Sequence, residues 1–358
     1  MNRTRRTFAV IAIAVLAGGT ALLAAGRHLG WRWSALTSRA GSLPALASLA
    51  PPDSNLIVFA DVSALRASPL LDQLKGLLPA ANPDADYAAF VRASGFDYQR
   101  DLDRVMLASH EVNGQTEIVA IADGRFDRAK IRAYALANGK LERHAGVDVY
   151  LMPSGSMSNA PQSNAPGKTI ALAFLSDSRI AISDSGNLDG LLGSPDHAAT
   201  AQALAAGELS LDQRVSRVGG APLFFVTRVP DVPSNWAPGG VHSDQLDELA
   251  RSLRWIDLKI EPLSDHLHVT LEGECVDATK ASSLEGTLSG LRFLAEAYLG
   301  TPGAQKSMDP QSLALAQQLV NSAVVTHTDQ WVALSVDLTQ DLLKSGLQPQ
   351  RHAPTIPK

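Results

Sequence analysis

LDRVMLASHEVNGQTEIVAIA, residues 102–122, carries the strongest local folding signal in the chain. Two runs rich in aliphatic residues, Leu102–His110 and Thr116–Ala122, flank the dipeptide Asn113-Gly114. Asn-Gly is a preferred sequence for the tight turn that joins two antiparallel strands, so this stretch predicts a β-hairpin. Similar patterns predict four more hairpins: Leu141–His144 with Val147–Leu151, Thr169–Leu175 with Arg179–Ser183, Leu253–Glu261 with Leu267–Glu274, and Ala323–His327 with Trp331–Asp337.

Helices are predicted between and beside these hairpins. Ser63 and Asp127 are expected to cap two of them, because their side chains can accept hydrogen bonds from a first helical turn. The predicted helices cover the leucine-rich segment from Leu65 to Leu78, Ala85–Ala93, Arg128–Ala137, Asn187–Leu192, Ala198–Ala206, Asp212–Val218, Ala278–Tyr298 and Gln311–Asn321. The fold class that follows is α+β, with antiparallel β-hairpins alternating with helices on one face of the sheet.

The spacing of the hairpins raises the possibility of β-β-α repeats. The second strands of four hairpins begin near residues 116, 179, 267 and 331, which are 63 residues apart in the first pair and 64 in the last. Two explanations stay open. Any strand-to-helix corner favours a capping residue, which creates local similarity, whereas duplication of a β-β-α unit would also create the spacing.

The N-terminal segment Phe8–Gly26 contains nineteen residues without a charge, and arginines flank it on both sides. A helix of this length spans roughly 28 Å, close to the hydrocarbon thickness of a bilayer. We expect a transmembrane helix that anchors the chain in the inner membrane as a single-pass protein, with the C-terminal part in the periplasm. Two alternatives stay open: a signal peptide cleaved near Gly26, and a twin-arginine export signal at Arg5-Arg6.

Composition divides the chain into six predicted parts. Proline pairs, polar stretches and the apolar segment mark the boundaries. The parts are an anchor or signal segment (1–26), a juxtamembrane linker (27–52), a first α+β half (53–152), a Ser/Asn/Pro-rich loop (153–167), a second α+β half (168–345) and a disordered tail (346–358).

The overall composition is that of a globular protein. The 358 residues are 45% hydrophobic and 19% charged, with a net charge of −5. There is no basic stripe, which argues against nucleic acid as a partner. The single cysteine, Cys275, excludes an internal disulfide and is expected to be a small core residue.

Two short patterns resemble those of a loosely defined set of uncharacterised exported bacterial proteins. The first is Pro52-Asp53, followed by the strand Leu56–Ala60 and the turn Leu65-Arg66-Ala67-Ser68-Pro69. The second is the corner Gly124-Arg125-Phe126-Asp127. The resemblance covers much of residues 51–300 and its motifs are structural, so it implies a fold and no activity.

Two polar clusters are candidates for chemistry. His266 and His268 share one face of a predicted strand beside Asp265, and two imidazoles on one face could reach a single metal ion. No third ligand is indicated, so we expect residues that face solvent. Asp101 and Asp103 could form a catalytic carboxylate pair, but each has an adjacent arginine, which favours a solvated ion-pair cluster.

Motifs of nucleophilic, nucleotide-binding and metalloprotease sites are missing from the sequence. We therefore assign no catalytic, cofactor-binding or metal-binding residues and expect no cofactor. Trp236, in the proline-rich loop 230–243, is either an exposed contact residue or a locally packed ring. The expected function is that of a non-enzymatic, membrane-anchored extracytoplasmic module for envelope interactions. The alternatives are a periplasmic binder of a small apolar or lipidic ligand, and a hydrolase with dispersed catalytic residues.

Overall fold

The computed structural model describes residues 46, 49–51, 53–68, 85–112, 114–153, 169–192, 209–229, 251–308 and 310–339. The described helices are α1 (Val62–Arg66), α2 (Ala85–Ser94), α3 (Tyr98–Asp101), α4 (Arg128–Asn138), α5 (Asp189–Leu192), α6 (Leu211–Val218), α7 (Ala278–Leu299), α8 (Pro302–Ser307) and α9 (Pro310–Ser322). The strands are β1 (Leu56–Asp61), β2 (Leu102–Val112), β3 (Gln115–Gly124), β4 (Lys140–His144), β5 (Val147–Pro153), β6 (Thr169–Ser176), β7 (Arg179–Ser183), β8 (Leu223–Arg228), β9 (Leu253–Pro262), β10 (His266–Cys275), β11 (Val324–Thr328) and β12 (Trp331–Thr339).

All the described strands lie in one antiparallel sheet, which confirms the α+β class. Their order is β11-β12-β10-β9-β8-β1-β2-β3-β7-β6-β5-β4. The inner strand β1 pairs with β2 on one side and with β8 on the other, so that Leu56 lies opposite both Ser109 and Thr227. The two edges of the sheet are β4 and β11.

Local signals in the sequence explain most of these elements. The hairpin β2–β3 forms as predicted, with Gly114 at a φ of 73° in its turn; Asn113 itself lies outside the described residues. The turn between β4 and β5 places Ala145 and Gly146 at φ values of 48° and 83°, the left-handed geometry that matches the twist of a hairpin. Asp127 caps α4 as predicted by accepting a hydrogen bond from the N–H of Lys130 at 3.1 Å.

The cap of α1 differs from the prediction. Asp61, and not Ser63, accepts the hydrogen bond from the N–H of Ala64, at 2.8 Å. The hydroxyl of Ser63 donates to the same carboxylate at 2.9 Å. Asp61 is the last residue of β1, so the helix starts at once and Ser63 is already inside its first turn. The predicted continuation of this helix to Leu78 lies outside the described residues.

Helices cover both faces of the sheet, which corrects the expectation of helices on one face. On the face that we call the front, Ile131 and Ala135 of α4 pack on β3, β5, β6 and β7, and α7 packs on β9 to β12. On the opposite face, the back, α6 packs through Val215 and Val218 on the central strands. Both faces are apolar in the middle of the sheet, so both need a cover.

Several predictions concern residues outside the described ranges. They are the apolar segment Phe8–Gly26, the helix Ala198–Ala206, Trp236 with its loop, and the tail 346–358. Within the described residues, none of the helices has the length and apolar character that a membrane crossing requires. The predicted halves 53–152 and 168–345 contribute to the same sheet, in which β6 and β7 lie between β5 and β3.

Candidate interaction surface

The first half of α7 holds this helix against the front of the sheet. Asp277 caps the helix by accepting the N–H of Lys280 at 2.8 Å. Ala281 and Leu284 are buried, and Leu288 packs beside them, in a cluster with residues of β9 to β12. Apolar residues three and four apart lie on one side of a helix, so this spacing fixes which side of α7 meets the sheet.

The second half of α7 presents large apolar side chains to solvent. Leu291, Phe293, Leu294 and Tyr298 are 50%, 66%, 63% and 54% exposed. We call these four residues the α7 surface. Leu291, Leu294 and Tyr298 lie on one side of the helix, whereas Phe293 lies on nearly the opposite side. Leu291, Leu294 and Tyr298 thus give one side of the helix an exposed apolar character, which on soluble proteins often marks a contact site.

The surroundings of the α7 surface carry little charge. Between residues 288 and 299 the charged side chains are Arg292 and Glu296, and α9 contains none. Charged residues are typically depleted from the core of a protein interface. The composition of this surface therefore resembles an interface core more than a solvated helix.

A small open cleft separates α7 from α9. It has a volume of about 190 Å³ and is lined by Glu296, Leu299, Gly300, Gln317, Val320 and Asn321. The side-chain amide of Gln317 donates to the backbone oxygen of Leu299 at 3.1 Å and ties the two helices together. The cleft lies on a different side of α7 from Leu291 and Leu294, so α9 leaves the α7 surface uncovered.

The front of the sheet is also partly open. Leu271 is 39% exposed, although β10 is the third strand from the edge. Its direct cross-strand neighbours, Leu258 and Leu334, are half-buried leucines. The surrounding positions on this face are aliphatic as well, and we call the set the aliphatic sheet surface: Leu258, Ile260, Val269, Leu271, Leu334 and Val336.

The back of the same strands is polar and is fastened to α6 by a buried ion pair. Arg214 of α6 is 1% exposed and pairs with Glu274 of β10, which is fully buried. The guanidinium carbon of Arg214 also lies 4.4 Å from the centre of the Trp255 ring. Removing one member of such a pair leaves a buried charge uncompensated, so each residue needs the other.

The next turn of α6 repeats this arrangement nearer the surface. The guanidinium of Arg217 lies 3.8 Å from the centre of the Trp331 ring and 3.3 Å from a carboxylate oxygen of Glu272. The two glutamates are two residues apart on β10 and therefore point to the same face. From the sequence, α6 was expected only as a short helix, with no indication that it docks through two arginines.

Asp257 lies on the same face and is 1% exposed. Neither of its oxygens accepts a hydrogen bond from the described part of the chain. Burial, helped by the negative charge of Glu272, raises the pKa of Asp257 to about 7, against the opposing effect of Arg214 and Arg217. This carboxyl therefore carries its proton for part of the time at neutral pH.

His268 lies in a chain of polar contacts that links β10 to β12. Its Nδ1 is 2.7 Å from a carboxylate oxygen of Asp337, and its Nε2 is 3.2 Å from the hydroxyl of Thr270. That hydroxyl is 3.3 Å from the hydroxyl of Ser335, and His266 Nε2 is 3.6 Å from Asp337. Asp337 could not be assigned to this cluster from the sequence, because only the strand register places it opposite His268.

This cluster has the residue types of a nucleophile, base and acid, but not the surroundings of an acyl-transfer site. Thr270 is 4% exposed, and β10 is paired on both sides, so its backbone N–H groups are used in the sheet. Free N–H donors are what an oxyanion requires. Among the described residues, no group of three or more His, Cys, Asp or Glu side chains is arranged to hold a metal ion.

The pair Asp101 and Asp103 forms ion pairs, as predicted, but Asp101 is buried and not solvated. Arg100 contacts Asp101 at 2.6 Å, and Arg66 contacts Asp103 at 3.4 Å. Burial acts to raise the pKa of Asp101, but hydrogen bonds from Arg100 and from a backbone N–H, with the charge of Arg125, outweigh it and lower that pKa. The arrangement stabilises the start of β2.

Cys275 is a buried free cysteine, which confirms the predicted core position. Burial, with a contribution from the charge of Asp277, raises the pKa of the thiol to about 11. A thiol with this pKa is protonated at neutral pH and is a poor nucleophile.

No family model and no curated protein matches the chain. Solved structures of TP0453 are distantly similar. Crystal form III has a TM-score of 0.42 at 9% identity, covering 84% of this chain and 96% of that chain, and crystal form IV has 0.40 at 9% identity, covering 85% and 96%. No inference about function follows at this level. The lack of a matching family model or curated protein is consistent with the resemblance to proteins without an assigned activity.

Proposed function

We propose that this protein is a membrane-anchored, extracytoplasmic interaction module without enzymatic activity, and that the α7 surface is its contact site. The observation that carries the proposal is the exposure of Leu291, Phe293, Leu294 and Tyr298 within eight residues of one helix. The low charge around this surface supports the proposal, as does the use of the β10 backbone N–H groups beside Thr270 in the sheet. The predicted anchor Phe8–Gly26 would hold this surface near the outer side of the inner membrane.

The anchor is tested by intact mass and membrane fractionation of the expressed full-length chain. We expect the full mass of 37.9 kDa in the membrane fraction. A mass shortened by about 26 residues in the soluble periplasm would instead indicate a cleaved signal peptide. That outcome would refute the anchor but would leave the contact site to be tested separately.

The contact site is tested by photo-crosslinking in cells of the source organism. A photoreactive phenylalanine analogue is placed at Leu294, which is 63% exposed. A matched control is placed at Leu136 on α4, which is 48% exposed and lies outside the α7 surface. We expect an adduct of discrete mass from position 294 and none from position 136. A second variant, Leu291→Asp, lies on the same side of α7 as the label at position 294 and should abolish the adduct. Equal labelling from both positions would refute the assignment.

A second candidate function, binding of an apolar or lipidic ligand, is favoured by the exposure of Leu271 in an inner strand. An acyl chain would find only aliphatic side chains on this part of the front face. Mass spectrometry of the purified protein under native conditions should then show a bound lipid. Its loss in the variant Leu271→Asp, with the control Leu263→Asp at a similarly exposed position, would assign the site.

We also propose that two β-β-α units, β2-β3-α4 and β9-β10-α7, derive from duplication. Both place their helix on the front of the sheet, and they lie on opposite sides of the central pair β1–β8. The strands whose spacing suggested the repeat, β3 with β7 and β10 with β12, are sheet neighbours in each half.

A further inference from the structure

Helix α6 lies over the back of β8 and β9 and is held there by few apolar side chains. It has eight residues, of which Val215 and Val218 are buried, and Leu211 packs at its start. Its charged contacts to the sheet are made by Arg214 and Arg217, which reach carboxylates of β10. The docking of this short helix therefore depends strongly on the charges beneath it.

The carboxyl groups beneath α6 outnumber the guanidinium groups that face them. Arg214 pairs with Glu274, and Arg217 pairs with Glu272. Asp257 of β9 lies directly opposite Glu272 in the strand register and is a third carboxyl on the same face. If all three carboxyls are ionised, the cluster carries one negative charge in excess. A proton on Asp257 removes that excess.

The strands around Asp257 offer it little other compensation. Its neighbour across β8 is the buried Val226. The remaining charged or titratable residues on this face lie two or more residues away along their strands: Lys259 on β9, Arg228 at the end of β8, and His268 on β10. The charges that act on Asp257 are those of Glu272, Arg214 and Arg217.

The environment of Asp257 favours its neutral form only while α6 is docked. The side chain is 1% exposed, and neither of its oxygens accepts a hydrogen bond from the described part of the chain. An ionised carboxylate is costly in such a place, which agrees with the pKa of about 7. Once α6 moves away, water can solvate the carboxylate, and its pKa returns toward the ordinary value of about 3.9. The docked state therefore binds the proton more tightly.

The connection between α6 and β8 allows the helix to move without the strand. Only residues 219–222 join the two elements, and they begin with Gly219-Gly220. Gly220 has a φ of 108°, a conformation that side chains other than glycine rarely adopt. A glycine pair at the end of a helix can absorb the change in backbone angles that a hinge requires.

We infer that α6 is a proton-controlled cover of the back of the sheet, which stays docked while Asp257 carries a proton and opens more readily once that proton is lost. Opening would uncover the rings of Trp255 and Trp331 together with the carboxylates beneath the helix. The pH would thus control access to an acidic and aromatic surface. This inference is independent of the α7 surface and of the proposed function.

The inference is tested by hydrogen exchange of the full-length chain in detergent from pH 5 to 8, with rates corrected for the intrinsic effect of pH. The reporters are the amides of α6, such as that of Arg214, which donates to the backbone oxygen of Ser210 at 3.1 Å. We expect their protection to fall at least about tenfold between pH 5 and 7, and the protection of α4 to change much less. Protection of α6 that is constant with pH, or an equal fall in α4, would overturn the inference.

Two variants assign the effect to Asp257. In Asp257→Asn the protection of α6 should no longer depend on pH, whereas Asp177→Asn, at a 95% exposed position, should behave as wild type. A pH dependence that persists in Asp257→Asn would point to another group, such as His268, and would overturn the inference. If that variant folds poorly, Glu272→Gln removes the charge that opposes ionisation of Asp257, so the fall in protection should move to lower pH. An unchanged midpoint would likewise contradict the proposed control.

Discussion

Replacing Asp257 by asparagine tests whether the buried carboxyl on the back of the sheet limits stability at neutral pH. Asparagine has nearly the same shape and cannot ionise. The pKa of Asp257 is raised to about 7 in the folded protein, and an unfolded aspartate titrates near about 3.9. The folded state therefore binds more protons than the unfolded state between these values, and wild-type stability falls as the pH rises from about 4 to about 7.

The magnitude follows from the difference between the two pKa values. A pKa difference of roughly three units corresponds to roughly 4 kcal/mol of unfolding free energy. Wild type has this contribution below about pH 4 and has lost it above about pH 7. The variant loses none of it. The stability of Asp257→Asn relative to wild type should thus rise by roughly 1 kcal/mol between pH 4 and 5 and by roughly 4 kcal/mol between pH 4 and 8. Burying the asparagine amide changes the stability of the variant by the same amount at every pH, so it does not affect these pH-dependent differences.

Urea unfolding followed by tryptophan fluorescence measures the effect, since Trp255 and Trp331 lie at the back of the same strands. The difference in unfolding free energy between wild type and variant is recorded from pH 4 to 8. Asp177→Asn serves as the control, because the side chain of Asp177 is 95% exposed. A wild-type minus variant difference that stays constant with pH would refute the reasoning that Asp257 is buried without a hydrogen-bond partner.

Four further substitutions test local features of the fold by the same unfolding assay. Gly124→Ala should lower the unfolding free energy by several kcal/mol, since an added Cβ would lie 2.4 Å from the backbone oxygen of Asp101; Gly286→Ala, in open space on α7, should instead raise it by up to about 1 kcal/mol. Asp127→Ala removes the cap of α4 and should cost about 1 kcal/mol; no loss would show that the cap is dispensable. Glu274→Gln leaves its buried arginine partner with less charge compensation and should cost about 3–5 kcal/mol, and a loss below 1 kcal/mol would contradict the burial of the pair.

Local signals were sufficient to predict most of the strands and helices. Asn-Gly and Ala145-Gly146 each specify a turn within two residues, and Asp127 specifies a helix start within four. Such signals act between near neighbours in the chain, so they can be recognised without knowing the sheet order. The cap of α1 is also a local feature, but its prediction was wrong, because Asp61 both ends a strand and caps the helix that follows.

The contacts of the polar face could not be predicted, because they depend on strand register. Arg214 and Glu274 look like solvated residues of a polar helix and a strand until α6 is placed on β10. Asp337 reaches His268 only because β12 pairs with β10 at that register. The helix Ala278–Tyr298 was predicted, but the sequence did not indicate that the second half of α7 lacks a cover.

The central pairing of β1 with β8 has a consequence for how the chain acquires its structure. Every hairpin in the sheet can close within a few residues, whereas Leu56 meets Thr227 only after a very long loop has closed. Loop-closure entropy makes such a pairing slow relative to local contacts. The stacking contact between Phe59 and Phe224, whose ring centres lie 5.1 Å apart, can form only at this step. A ribosome would thus release β1 long before its partner exists, and until β8 emerges the nascent sheet ends in an apolar edge that a chaperone could bind.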